Sequence, residues 1–316
     1  MIGIGDQKVL FIDAHAHVYE RLKGQKFGGT PVEAMNCGRV KIGEEIVFWT
    51  DPAYFDLSSP IEVFLEHMNK NNMDKAVLLQ TPCYGEQYDY IDAILEKYPG
   101  KFQTVGLADP RFREEFIRDT DIAVNQHGYF GIKIEVPDVP FIMDAQENEF
   151  VWETILRNDT YIVIDLGWGD GPYDFRIDQL ANVLKKYPTI KTIIPHLGVS
   201  RLWDPNEAPN YDSLKRCLSL LEINRDNLWF DISGLPLLVR TFDEYPYPRI
   251  HDILKVVKQT IGIDKIMWGT DYPCVTEPCT YKQNFDMVDK HCEFLSQQDK
   301  ISLFGANAQR VYFDRR

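Results

Sequence analysis

The first residues able to do chemistry stand in Asp13-Ala14-His15-Ala16-His17. In an extended segment side chains alternate, so His15 and His17 share one side and their imidazoles converge on one point. Neutral imidazole nitrogen suits zinc and its neighbours, and the flanking alanines leave room for an ion. The same spacing also occurs as two ordinary histidines at a solvated strand end. A carboxylate in Trp268-Gly269-Thr270-Asp271-Tyr272-Pro273 would complete a His₂–carboxylate set. A catalytic metal typically has three protein ligands and one open position, where the pKa of water falls toward ~7. Asp271 could accept that water's proton as well, acting as ligand and base. His196, in Ile194-Pro195-His196-Leu197-Gly198, could ligate the metal, polarise a carbonyl or shuttle a proton. A histidine bonded to a neighbouring carbonyl for structural reasons is the alternative.

Positioning these residues requires strands that end at one rim. Short apolar, β-branched runs alternate with longer amphipathic stretches, a rhythm that predicts a parallel sheet covered by helices. Eight such runs are expected, at 9–18, 75–80, 102–109, 128–136, 161–168, 189–198, 227–234 and 265–273, with helices such as 60–71 and 177–187 between them. Eight units predict a closed (β/α)₈ TIM barrel, in which the eighth strand neighbours the first and active sites form at strand C-termini. The runs begin apolar and end polar, which places His15, His17, His196 and Asp271 at one mouth. Two connections are long. Residues 19–59 form a loop insertion whose Trp49, Asp51, Pro52, Tyr54 and Phe55 suit a lid, a substrate wall or an oligomer contact. Residues 235–251 carry Pro236, Pro246 and Pro248, expected to interrupt any helix. No repeat or linker divides the chain, so 1–316 is read as one domain.

Composition narrows the partners. With 34 basic and 48 acidic residues the net charge is −14, which repels phosphate backbones and anionic headgroups, so nucleic acid and membrane partners are not expected. No run reaches the ~18 apolar residues of a membrane span, and the N-terminus lacks a basic leader with a cleavage site. These features predict a cytoplasmic protein acting on a small molecule. Cys37, Cys83, Cys217, Cys274, Cys279 and Cys292 form no C-x-x-C pair, which argues against a thiolate zinc site.

Taken together, Asp13-x-His15-x-His17, His196-Leu197-Gly198, Asp271-Tyr272-Pro273 and Asn307-Ala308-x-Arg310-Val311-Tyr312 resemble the amidohydrolase superfamily. The likeness spans nearly the whole chain and is strongest to the amidohydrolase-related branch that includes aminocarboxymuconate-semialdehyde decarboxylase, resorcylate decarboxylases and 4-oxalomesaconate hydratase. The resemblance implies a distorted TIM barrel holding one divalent metal ion, zinc first and manganese second, often in a homodimer. It places His15, His17 and Asp271 as metal ligands and His196 as the catalytic histidine. Some branches, such as metal-independent lactonases, keep this pattern without a metal.

One position departs from the family pattern: the fifth strand ends in Asp165 where metal-dependent members commonly carry histidine. A carboxylate in so apolar a run needs a partner. It could ligate the metal, favouring harder ions such as manganese, orient a ligand histidine, or pair with a lysine. Lys133, amid isoleucines on the fourth strand, matches the carbamylated lysine of binuclear branches. The closer relatives are mononuclear, so Lys133 is read as binding a substrate carboxylate or pairing with Asp165. Arg111, Trp168, Arg201, Trp203 and Arg240 are the nearest loop candidates for substrate contact, and arginine would suit a carboxylate. His67, His127, His251 and His291 lie away from the rim and are assigned no chemistry. The expected reaction is hydrolysis of a small amide, lactone or ester bearing a carboxylate. Decarboxylation of an aromatic or unsaturated acid is the alternative, and a metal-free lactonase or binding protein the third reading.

Overall fold

A computed structural model describes residues 1–26, 28–136, 140–167, 175–198 and 211–314. Its centre is a distorted (β/α)₈ barrel. All eight expected strands form, each shorter than its apolar run: Ile12–Ala16, Lys75–Leu78, the broken third strand Phe102–Thr104 with Gly106–Leu107, Gly131–Glu135, Tyr161–Asp165, Lys191–Ile194, Leu228–Asp231 and Ile266–Met267. The runs overshoot because their polar ends leave the ladder to build the mouth. Neighbouring strands pair in parallel from first to third and from third to eighth. The ring closes through Ala14 N–H to the Trp268 carbonyl at 2.9 Å, Asp271 N–H to the His15 carbonyl at 2.8 Å and His17 N–H to the Tyr272 carbonyl at 2.7 Å.

The lumen is filled by Ile12, Ala14, Val77, Leu79, Val105, Phe130, Val163, Ile193, Trp229 and Met267, the β-branched and bulky types that a packed barrel interior favours. Ala308, Val311 and Tyr312 join them, and the Tyr312 ring meets Phe130 at 4.5 Å. The C-terminal motif therefore plugs the end of the barrel opposite the mouth. Asn307 anchors the plug by donating to the Ile263 and Ile266 carbonyls at 2.8 and 2.7 Å. Outside the strands, helices such as Ile61–Lys70 and Ile177–Lys186 bury one apolar face against the sheet.

Two connections differ from expectation. Residues 19–59 are not an irregular loop: Lys23–Gln25, Pro31–Ala34, Arg39–Ile42 and Glu45–Phe48 form a four-stranded antiparallel sheet. Its small core of Leu22, Val32, Val40 and Leu57 packs onto Tyr19, Cys83 and Tyr84 beside the mouth. Between the seventh and eighth strands Pro236 and Pro248 begin helices, Leu235–Val239 and Pro248–Ile261, rather than interrupting them. In the first turn a missing N–H costs nothing and the fixed φ is already helical. Among the described residues no helix is long and apolar enough to cross a membrane.

Candidate functional site

The first strand carries a bulge that simple alternation does not foresee. Asp13 registers with Ala76 and Ala16 with Leu78, three residues against two. Ala14 consequently faces the lumen and Ala16 the outer layer. Such a bulge re-aims side chains. Asp13 turns toward the eighth strand, accepting from Thr270 Oγ1 at 2.6 Å, Thr270 N at 3.0 Å and the Tyr281 hydroxyl. Burial pushes the Asp13 carboxyl up to about 7 despite these donors. It ties the first strand to the last beneath the two histidines.

Those histidines meet at the mouth. His15 Nε2 and His17 Nε2 lie 3.2 Å apart, and Asp271 Oδ1 lies 3.0 Å from His17 Nε2 and 3.7 Å from His15 Nε2. All three residues are buried. Gly269 allows this approach, since a Cβ there would stand 2.8 Å from the His15 Cβ. The far nitrogens fix the protons. His17 Nδ1 is 2.8 Å from the Leu79 carbonyl and His15 Nδ1 is 3.1 Å from Asp231 Oδ2, both of which can only accept. Each Nδ1 therefore carries hydrogen. Burial lowers the His15 pKa to about 4, so its Nε2 is a bare lone pair at neutral pH. Burial opposes the charge of Asp271, but His17 and the neighbouring histidines hold its pKa below the ordinary value. Two ring nitrogens and a carboxylate oxygen thus converge on one another. A proton can reconcile one such pair, whereas a metal ion reconciles all three, and two imidazoles with one carboxylate are a donor set that zinc accepts.

His196 stands on the other side of His15, ring centroids 4.8 Å apart. Its φ of 56° and that of Asp271, 65°, fall in the left-handed region that non-glycine residues rarely occupy and that often marks functional sites. The backbone of His196 is held there by N–H donation to Asp231 Oδ1 at 3.0 Å. Its Nδ1 donates to the Ser233 carbonyl at 2.9 Å, which leaves Nε2 as the basic nitrogen, 4.0 Å from Asp165 Oδ2.

Asp165 lies with a different group. Its Oδ1 accepts from Gly167 N–H at 2.9 Å and its Oδ2 is 3.9 Å from Lys133 Nζ, whose nearer partner is Glu135 at 3.1 Å. Burial disfavours the Lys133 charge, but Glu135 and Asp165 outweigh it and raise its pKa. Asp165 Oδ2 thus stands between a lysine at 3.9 Å and a histidine nitrogen at 4.0 Å. Arg111 binds Asp109, with Nε at 2.9 Å, and Arg240 binds Glu277. Trp168, Arg201 and Trp203 lie outside the described residues. Asp231 and Ser233, which touch both His15 and His196, were not singled out from the sequence. Their signal was available, a polar Asp-x-Ser at the end of an apolar strand run.

The sequence pattern of the amidohydrolase family matches residues 12–313. The chain belongs to the amidohydrolase family. No curated relative matches it. Among solved structures, a probable 2-pyrone-4,6-dicarboxylic acid hydrolase from Acinetobacter baumannii with citric acid bound aligns at TM-score 0.68 and 17% identity, over 95% of this chain and 98% of the other. An amidohydrolase from Burkholderia multivorans with bound zinc aligns at 0.67 and 15%, over 96% and 99%. The 5-carboxyvanillate decarboxylase of Sphingomonas paucimobilis aligns at 0.60 and 17%, over 81% and 84%. At these identities the likeness is one of fold, and it includes the decarboxylase branch that the motifs resemble. Hydrolases and decarboxylases both stand among the neighbours of this amidohydrolase-family chain.

Proposed function

We propose that this amidohydrolase-family protein is a metal-dependent hydrolase of a small amide, lactone or ester. The observation that carries the reading is the convergence of His15 Nε2, His17 Nε2 and Asp271 Oδ1 with their protons held on the far side. These three residues would hold one divalent ion, zinc before manganese. When bound, such an ion polarises a carbonyl and lowers the pKa of water. In this reading Asp271, through its second oxygen, and His196 Nε2 would take a proton from the attacking water and return it to the leaving group.

Charge selects among substrates. Lys133 already faces Glu135 and Asp165, Arg111 holds Asp109 and Arg240 holds Glu277. Each of the proposed cations among the described residues is matched by a carboxylate. That supports a neutral substrate over an anionic one.

The test combines metal analysis with isotope tracing in ¹⁸O-water over a panel of neutral lactones, anilides and hydroxybenzoates. One solvent oxygen in the product, dependent on about one equivalent of metal, is expected. Carbon dioxide released from a hydroxybenzoate without label uptake would replace this reading by decarboxylation.

A further inference from the structure

We propose that Asp231 and Ser233 act as one lock that sets the ring tautomer of His15 and His196 together. The proposal rests on His15 being a metal ligand only for its effect on affinity; the lock itself is a matter of protons. Asp231 ends the seventh strand, buried, and its two oxygens serve different customers. Oδ1 accepts from His196 N–H at 3.0 Å, Ser233 N–H at 3.0 Å and the Ser233 hydroxyl. Oδ2 faces His15 Nδ1 at 3.1 Å. The Ser233 hydroxyl has a single hydrogen, and giving it to Asp231 leaves its oxygen an acceptor toward His15 Nδ1 and His196 Nδ1, each at 2.9 Å. The Ser233 carbonyl accepts from His196 Nδ1 at 2.9 Å as well.

The hydrogen inventory then places one hydrogen on each ring. Five donors point at the Asp231–Ser233 pair, and both rings carry hydrogen on Nδ1. His15 Nε2 faces the candidate metal ligands, and His196 Nε2 lies 4.0 Å from Asp165 Oδ2. Gly234, at φ 67°, turns the chain away immediately after the lock. Asp231 and Ser233 are positioning residues, since each acts through a histidine.

Asp231→Asn tests the lock, because an amide offers one acceptor where the carboxylate offers two. With its oxygen retained at the three-donor corner, its NH₂ meets His15 Nδ1 and forces that hydrogen onto Nε2. Ring ¹⁵N shifts of the metal-free full-length protein are expected to show His15 changing from Nδ1–H to Nε2–H. His17, fixed independently by the Leu79 carbonyl, keeps its tautomer. Zinc affinity, measured by competition with a chelating dye, is expected to fall about 10- to 100-fold. A general loosening of the fold would disturb His17 as well and would not select one ring. His15 retaining Nδ1–H with wild-type zinc affinity overturns the proposal.

Should Asp231→Asn fail to fold, the ring ¹⁵N shifts of the metal-free wild-type protein decide the assignment. Nδ1–H is expected on both His15 and His196. A ring of either residue with hydrogen on Nε2 alone would overturn it. Wild-type protein that shows the expected tautomers yet binds no zinc leaves the lock standing and removes the metal reading instead.

Discussion

Two corners of the same barrel mouth are built from similar residue types and end in opposite electrostatic states. Where the first and eighth strands meet, His15 Nε2, His17 Nε2 and Asp271 Oδ1 converge on one another. Where the fourth and fifth strands meet, Lys133 lies between Glu135 and Asp165, so positive charge is supplied from within the chain. The first corner would take a cation from outside, and the second has its own. A buried carboxylate is therefore no guide to a metal until its counter-charge has been located: Asp271 faces the Nε2 atoms of His15 and His17, while Asp165 faces the Lys133 ammonium as well as His196 Nε2.

The comparison breaks most readily at the first corner. In the His15→Ala/His17→Ala variant bound metal is expected to fall from about one equivalent per chain to near zero, because a single carboxylate cannot hold a zinc ion alone. Plasma mass spectrometry checks this, and full retention of metal would move the site elsewhere.

At the second corner the expected loss is in stability rather than in metal. Lys133→Met leaves the buried Asp165 and the half-buried Glu135 without their cation, a defect that costs about 3–5 kcal/mol. Denaturant titration reads it, alongside unchanged metal content. Against the opposing effect of burial, Glu135 and Asp165 raise the folded-state pKa of Lys133 above its ordinary value of 10.5, so its contribution is complete below that value and lost as pH rises through the folded pKa. The gap between wild type and Lys133→Met should stay constant from pH 6 to about 9 and close only in stronger alkali. A gap that narrows between pH 6 and 9 would show that something other than the lysine charge sustains this corner.

The smallest effect is expected at the rim. Arg240 and Glu277 are both about one-third exposed, at 37% and 32%, where solvent screens an ion pair to roughly 0–1 kcal/mol. Arg240→Ala should leave both the unfolding midpoint and the metal content close to wild type. A larger loss would make this pair part of the mouth's framework.

Much of this was legible in order along the chain. Apolar runs with polar tips predict the eight strands and the rim, and His15, His17, His196 and Asp271 arrive there together. Less legible was whatever depends on contacts across the ring. The insertion at 19–59 reads as loop because its strands are only three or four residues long, below the length at which alternation shows. Pro248 reads as a breaker because its neighbours alone do not reveal that it opens a helix of fourteen residues.

Local periodicity and side-chain chemistry by themselves determined the barrel, the end of it that does chemistry and the residue types gathered there, since these depend on neighbours a few positions away. Tertiary structure alone decided who holds each proton. The Asp231 oxygens reach His15 across 216 residues of chain and His196 across 35. Lys133 stands beside Asp165 because the fourth and fifth strands pair with Glu135 opposite Asp165. Tautomers and counter-charges are properties of what lies within about 3–4 Å, and in this barrel those neighbours come from strands far apart in sequence.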